Sequence, residues 1–410
     1  MVTDPNSAEA RQPGVGQGIT VITAGFLPIL AIVSLFPAVP SIIDHFSGNP
    51  SAAWQVPAMV SAPGLTIAVI ALFAGMLVDR FGRRKLMLGS LLLYGLFGAA
   101  PFFLDDLNAI YASRLLLGVA EAAILTTLNT LIGDYWEDSG RRKWLTLQGL
   151  AGPFLASGVI LASGYLTGLR WNGIFLIYLI AFPIFFAAAR YLYEPASDAT
   201  ARKMLGIGQG PARTPFPMAS VVMIGIVTLF SSALYYVFII NGGMAFREVG
   251  IMSSQELGKL TFIPSLFVMV GSLIFWATGR LGPVTQLGIF LAMIGGGLAW
   301  IGLASDWRWM IAGLVIQQTG AGMAVPTLIA WAQTKLPFEH RGRGMGLWTA
   351  CFFFGQFSSP FLVSLFRAQT GAMQSAFLIM GATGVAGAVA AFVFAASRRG
   401  GGIPAAARAA

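Results

Sequence analysis

The stretch GMLVDRFGRRK, Gly75 to Lys85, sets one acidic and four basic side chains into eleven residues of a chain that elsewhere carries little charge. Long apolar runs flank it, Gln55 to Val78 before and Leu86 to Leu104 after. Each has about the length that crosses a hydrocarbon core of roughly 30 Å as a helix. The same alternation of apolar run and short polar turn continues through the 410 residues, of which 56% are hydrophobic and only 10% charged. A water-soluble protein of this size has no use for so much apolar surface, so the solvent for this chain is lipid.

Twelve spans can be read: Ile19 to Ile43, Gln55 to Val78, Leu86 to Leu104, Ala109 to Ile132, Trp144 to Leu166, Gly173 to Tyr191, Met218 to Ile240, Leu257 to Thr278, Val284 to Ala304, Trp309 to Ala332, Met345 to Leu365 and Ala376 to Ala396. The alternating pattern of a β-barrel strand is missing, and lipid leaves the backbone only its own partners, so these segments are expected to be helices. The fold class is therefore all-α integral membrane. Residues 1–18 are polar, without the basic-then-apolar pattern of a cleaved leader, and read as a tail. Between Glu194 and Pro217 the chain is rich in Pro, Gly, Asp, Thr, Arg and Lys, the composition of a connector. The expected organisation is a tail (1–18), six helices (19–193), a linker (194–217), six more helices (218–396) and a second tail (397–410).

Charge orients this bundle. With the N-terminus inside, nineteen of the 25 basic residues fall on the cytoplasmic side. Only Arg170, Arg247, Lys259, Arg308 and Arg367 fall opposite, with Arg114 inside a span. The bias predicts both termini in the cytoplasm, the protein lying in the plasma or inner membrane. The net charge of +9 is this bias seen in bulk, and no basic, aromatic-interleaved domain supports a nucleic-acid partner.

The halves resemble each other. Arg80 and Gly82 recur as Arg280 and Gly282 at an offset of 200, while Gly118 recurs as Gly320 and Phe175-Leu176-Ile177 as Phe377-Leu378-Ile379 at 202. A shared offset points to duplication of a six-helix unit. Within this frame the opening stretch, with Gly75, Asp79-Arg80 and Gly82-Arg83-Arg84-Lys85, resembles the loop signature of the major facilitator superfamily. Arg114 with Gly118 in span four resembles a second signature. Gly152-Pro153 in span five matches part of a third, although Ala156-Ser157 stands where antiporters usually carry a glycine pair. The resemblance implies twelve transmembrane helices in two pseudo-symmetric six-helix bundles, no enzymatic activity, and secondary transport of a small molecule by alternating access.

By the same resemblance the turn is an intracellular latch made of Gly75, Asp79, Arg80, Gly82, Arg83, Arg84 and Asp134. Arg83 is expected to reach Asp134, and Asp79 to face the start of span eleven near Gly344 to Gly346. The alternative is a topology signal alone, but topology requires neither the aspartate nor the glycines.

Inside the spans only one acidic residue lies near mid-helix, Glu121. Burying an ionised carboxylate at such depth costs at least ~2.5 kcal/mol, which calls for a partner or a proton. Arg114 precedes it by seven residues on the same helical face, about 10.5 Å along the axis. Glu121 and Arg114 are therefore candidates for proton coupling, against the alternative of a static polar pair that fixes helix packing. In the second half the matching positions are Met323 and Ile316, so a helix here does not demand the charges.

The family's architecture puts spans one, four, seven and ten around a central cavity, with two, five, eight and eleven beside them. Polar and aromatic residues fall on these spans: Asn129, Gln148, Tyr235, Tyr236, Gln317, Gln318, Trp348 and Gln356. They are the substrate-binding candidates, and they suit a neutral, cationic or amphipathic organic solute better than a polyanion. No phosphate loop, dinucleotide fingerprint or metal-spaced His/Cys cluster occurs, so no cofactor or metal is expected. The expected partners are a small-molecule substrate, protons and the bilayer, for a protein working as a monomer. Proton-coupled export is the leading expectation, partial Gly-Pro signature included. Proton-linked or facilitative import and a non-transporting receptor are the alternatives.

Overall fold

Lipid offers the backbone no hydrogen bonds, so each span must close its own. The computed structural model, which describes residues 13–136, 138–195, 215–337 and 340–400, shows how they do so. Span one is α1 (Val15–Val33) and α2 (Val39–His45), and span two is α3 (Ala52–Ala71) and α4 (Ala74–Phe81). Span three is α5 (Arg83–Ala99), ending in a 3-10 turn, Ala100–Phe103; spans four and five are α6 (Leu107–Tyr135) and α7 (Asp138–Leu169). Span six begins as a 3-10 stretch, Gly173–Ile180, and continues as α8 (Ala181–Tyr191). Span seven is α9 (Met218–Glu248), and span eight is α10 (Ser254–Ser265) with α11 (Phe267–Ala277). The last four spans are α12 (Pro283–Leu303), α13 (Trp307–Lys335), α14 (Arg341–Thr370) and α15 (Met373–Gly400).

Eleven of these runs are long and apolar enough to cross a membrane on composition alone, and the twelfth is α13. Its apolar pattern is diluted by Gln317, Gln318 and Thr319, all buried inside the bundle. A helix screened from lipid by its neighbours tolerates polar groups that a lipid-facing helix does not.

Three spans read as continuous are interrupted. Span one breaks at residues 34–38, around Pro37, where the chain closes with shorter bonds such as Phe36 N to Val33 O and Ala38 N to Leu35 O. Span eight breaks at Leu266, just after Pro264, which has no N–H to give. Span two breaks at Leu72 and Phe73, so the segment carrying the Asp79 turn is a separate short helix. Pro57 and Pro63 in α3, Pro326 in α13 and Pro360 in α14 lie within helices.

The repeat is visible in the backbone. Gly82 (φ 78°, ψ 156°) and Gly282 (φ 82°, ψ 153°) take the same conformation, each opening the helix that follows. That region is open essentially to glycine only. The pairing of Gly118 with Gly320 is not a packing equivalence. A Cβ on Gly118 would meet Pro63 O of span two at 2.6 Å, whereas one on Gly320 would meet Ile294 of span nine. It is Gly322 that lies against span eight, at Val268 O.

The halves meet along two seams, α3 with α14 and α7 with α10. At the second, Ser157 and Ser265 hydroxyls are 2.6 Å apart, and Gly164 packs against the Ser254 carbonyl. At the end of the bundle remote from the Asp79 turn, Arg247 Nη1 of α9 pairs with Asp44 Oδ1 of α2 at 2.7 Å and approaches Pro40 O at 3.3 Å. Beside them Ser41 and Ser254 hydroxyls are 2.7 Å apart.

Candidate functional site

Between the halves lies a partly open cavity of about 160 Å³. The breaks in spans one and eight border it: Val33 and Phe36 stand at the first, Ser265 and Val268 at the second. Ile29 of α1, Gly152-Pro153 and Ile160 of α7, Tyr235 and Phe238 of α9 and Gln318 of α13 complete most of the wall. Among the described residues, no carboxylate, amine, guanidinium or imidazole lines it.

Of the eight residues expected to bind substrate, the structure brings Tyr235 and Gln318 to this cavity. Tyr236 turns behind Tyr235 in an edge contact, 4.8 Å between ring centroids, and packs on Phe352. Trp348 stacks on the other side of Phe352 at 5.3 Å, its indole Nε1 buried without a hydrogen-bond partner. Gln317 faces span nine instead, with its Cβ against Gly297 and both amide atoms unpartnered. Gln356 packs on Gly64 at the α3–α14 seam, and Gln148 on Gly25 of α1. The Asn129 side chain lies outside the described residues.

Arg114 and Glu121 are both buried, with 0% and 2% of their surface exposed. They do not form a direct pair. Arg114 Nη2 donates to Phe97 O at 2.9 Å and Gly98 O at 2.7 Å, the last carbonyls of α5, and its guanidinium lies 5.2 Å from the Phe175 ring and 4.8 Å from the Tyr178 ring. A cation at a helix C-terminus meets the negative end of the dipole, and aromatic faces stand in for lost water. Glu121 Oε1 has no hydrogen-bond partner. Three phenols, those of Tyr94, Tyr178 and Tyr236, are buried in the same bundle. Two of these anchor span one beside its break, Tyr94 OH donating to Leu27 O and Tyr178 OH to Ala31 O.

At the turn, Arg83 Nε lies 3.1 Å from Asp134 Oδ2. Arg80 is exposed, its guanidinium 5.8 Å from the Phe81 ring. Arg84 reaches the end of span six, donating to Leu192 O and Ala189 O. Gly75 and the Asp79 side chain lie outside the described residues, and with them the expected contact to span eleven. The backbone does bring that start close, since a Cβ on Gly346 would lie 3.7 Å from Ala71 O.

A family model described as Major Facilitator Superfamily matches residues 21–283 and 216–409. The chain belongs to this superfamily. It is 28% identical over 302 residues to the 3-(3-hydroxy-phenyl)propionate transporter of Escherichia coli (strain K12), a match covering 71% of this chain and 72% of that one. It is also 28% identical to Multidrug resistance protein 2 of Bacillus subtilis (strain 168), over 176 residues that span 42% of this chain and 40% of the relative. Among solved structures, a D-xylose-proton symporter superposes with a TM-score of 0.73 at 14% identity, covering 92% of this chain and 97% of that one. The protein is thus a multi-pass membrane transporter of the superfamily, with its twelve-helix, two-bundle fold.

Within that superfamily fold, one residue of the turn escaped the sequence. Glu194, just past span six, accepts Arg83 N at Oε1 (2.7 Å) and Arg84 N at Oε2 (2.8 Å), capping the first turn of α5. Arg84 caps α8 in return. The available signal was a lone carboxylate at the end of an apolar run, level with the four basic residues. A Cβ on Gly82 would lie 3.0 Å from Glu194 Oε1, on a backbone that disfavours any side chain. Gly82→Ala is therefore expected to cost about 1–3 kcal/mol and to slow transport. Gly89→Ala, in the open interior of α5, serves as the control in thermal unfolding. Equal melting temperatures for the two variants would remove the argument.

Proposed function

We propose that the protein exports a small uncharged organic solute in exchange for protons. In this reading both termini are cytoplasmic, the cavity between the halves is the transport site, Glu121 carries the proton, and the Asp79–Asp134 turn latches the inner side. The observation that carries it is the cavity itself: lined from both halves by spans one, five, seven, eight and ten, with no charged side chain among the described residues that line it. An ionised solute would lie there without a counter-charge. The Gly152-Pro153 step forms part of its wall, which ties the span-five signature to the solute path. With no nucleotide-binding loop in the sequence, an ion gradient is the energy source supported by the fold.

Uptake is the second reading, favoured by the relative matched over about 70% of both chains, whose name specifies a hydroxylated aromatic acid. Purified protein in liposomes of known orientation, loaded with a pH-sensitive dye, separates the two. A solute gradient that drives protons the opposite way supports exchange; protons moving with the solute support uptake. Solute flux without proton movement would overturn proton coupling in both.

A further inference from the structure

The cavity's dimensions and its two unengaged polar groups say more about the solute than the absence of charge does. Its volume of about 160 Å³ is close to that of an apolar cavity, roughly 150 Å³, that takes up one benzene ring. Flat walls suit a ring: Phe36 and Phe238 meet at one side with centroids 5.2 Å apart, and Ile29, Val33, Ile160 and Leu314 supply the rest. Four lining residues besides these carry polar side-chain atoms, and two are already committed. Thr261 Oγ1 donates to Leu257 O at 2.7 Å, and Ser265 Oγ donates to Phe262 O and shares a hydrogen bond with Ser157.

The other two are free. Gln318 is 7% exposed as a residue, and among the described residues neither its amide nor the Tyr235 hydroxyl makes a hydrogen bond, so both stand open at the cavity wall. An occupant that displaces solvent from this amide without pairing with it leaves it unsatisfied, so one that pairs is favoured over an isostere that does not. The carboxamide offers one acceptor oxygen and two N–H donors, and the phenol one of each. A neutral hydroxyl on a ring matches them, donating to Gln318 Oε1 and accepting from Gln318 Nε2 or Tyr235. A carboxylate or ammonium would match the hydrogen bonds in part but lie uncompensated in charge.

We propose that the solute is a single aromatic ring bearing a neutral hydroxyl, a monocyclic phenol, held by Gln318 and Tyr235 between the Phe36–Phe238 wall and the aliphatic side chains of spans one and five. This rests on the reading that the cavity is the transport site. The test is equilibrium binding of p-cresol, toluene and p-toluate to the purified full-length protein in nanodiscs. These are rings of one size bearing a hydroxyl, nothing and a carboxylate. p-Cresol is expected to bind at least tenfold more tightly than either of the others.

Gln318→Leu is expected to weaken p-cresol to the level of toluene while toluene binding stays as it was, which also shows that the variant is folded. Val33→Trp, filling the cavity, is expected to abolish binding of both. Equal affinity of p-cresol and toluene in the wild type, or tightest binding of p-toluate, overturns the proposal. So does an unchanged p-cresol preference in Gln318→Leu. Failure here with intact solute-driven proton flux in liposomes would remove the phenol and leave proton-coupled transport standing. Binding as expected without proton flux would do the reverse.

Discussion

Glu121→Gln is expected to abolish accumulation of solute against its gradient under an imposed pH difference, while exchange of labelled for unlabelled solute continues. The substitution keeps the shape and a hydrogen-bonding capacity close to that of the protonated side chain, and removes its ability to bind and release a proton. Exchange at equilibrium moves no net proton, so it survives the loss; uphill transport needs a group that binds a proton in one state and gives it up in the other. Glu121 is suited to that duty by its position: 2% exposed and without a partner at Oε1. Accumulation in proteoliposomes, measured with an acid and then an alkaline interior, is the readout. A Gln variant that still concentrates solute would relieve Glu121 of the role and pass it to Asp44, whose pair with Arg247 joins the halves at the far end.

That far end is closed by segments set off from the rest of their spans. Asp44, Ser41 and Pro40 lie on α2, beyond the break at residues 34–38, and Ser254 and Gly258 lie on α10, before the break at Leu266. A short helix beside a proline break can reorient without carrying a whole membrane-spanning helix with it. Both breaks also face the cavity, so a solute seated against Val33 and Ser265 touches the joints of the two segments that seal it in.

The sequence revealed the spans because each crossing needs a long apolar run, and it revealed the turn because charge at a membrane boundary stands out. Even α13, too polar to pass on hydropathy alone, was recognisable from its place between two clear neighbours. The break in span eight escaped notice, although Pro264 marked it. The cavity was harder for two physical reasons. Ile29, Val33 and Phe238 are apolar, and an apolar residue facing a cavity looks in sequence like one facing lipid. Gln317 and Gln318 are adjacent, yet successive residues point about 100° apart around a helix. One therefore reaches the cavity and the other span nine. Composition does not fix that rotation; the close approach of Gly297 to Gln317 does. Glu194 escaped because its partners are backbone N–H groups more than a hundred residues away, which no side-chain pattern records.

Arg114→Gln is expected to lower thermal stability and transport together, with Arg114→Lys between it and the wild type. The expectation follows from where the guanidinium sits. It donates to two carbonyls at the C-terminus of α5 and lies over two aromatic rings of span six, tying spans three, four and six around a fully buried point. A charge-assisted hydrogen bond contributes about 1.5–3 kcal/mol and a desolvated cation–π contact about 2 kcal/mol, so loss of the group costs on the order of 3–5 kcal/mol. Lysine keeps the charge but lacks the planar guanidinium, whose Nη2 donates to both Phe97 O and Gly98 O while its face lies over two rings. Melting temperature and initial transport rate, measured on the same preparations across a pH series, distinguish this role from direct tuning of Glu121. A clamp lowers both quantities at every pH and leaves the shape of the pH profile alone. A Lys variant of wild-type stability with a displaced pH profile would show that Arg114 acts on the proton instead, seven residues along the same helix face.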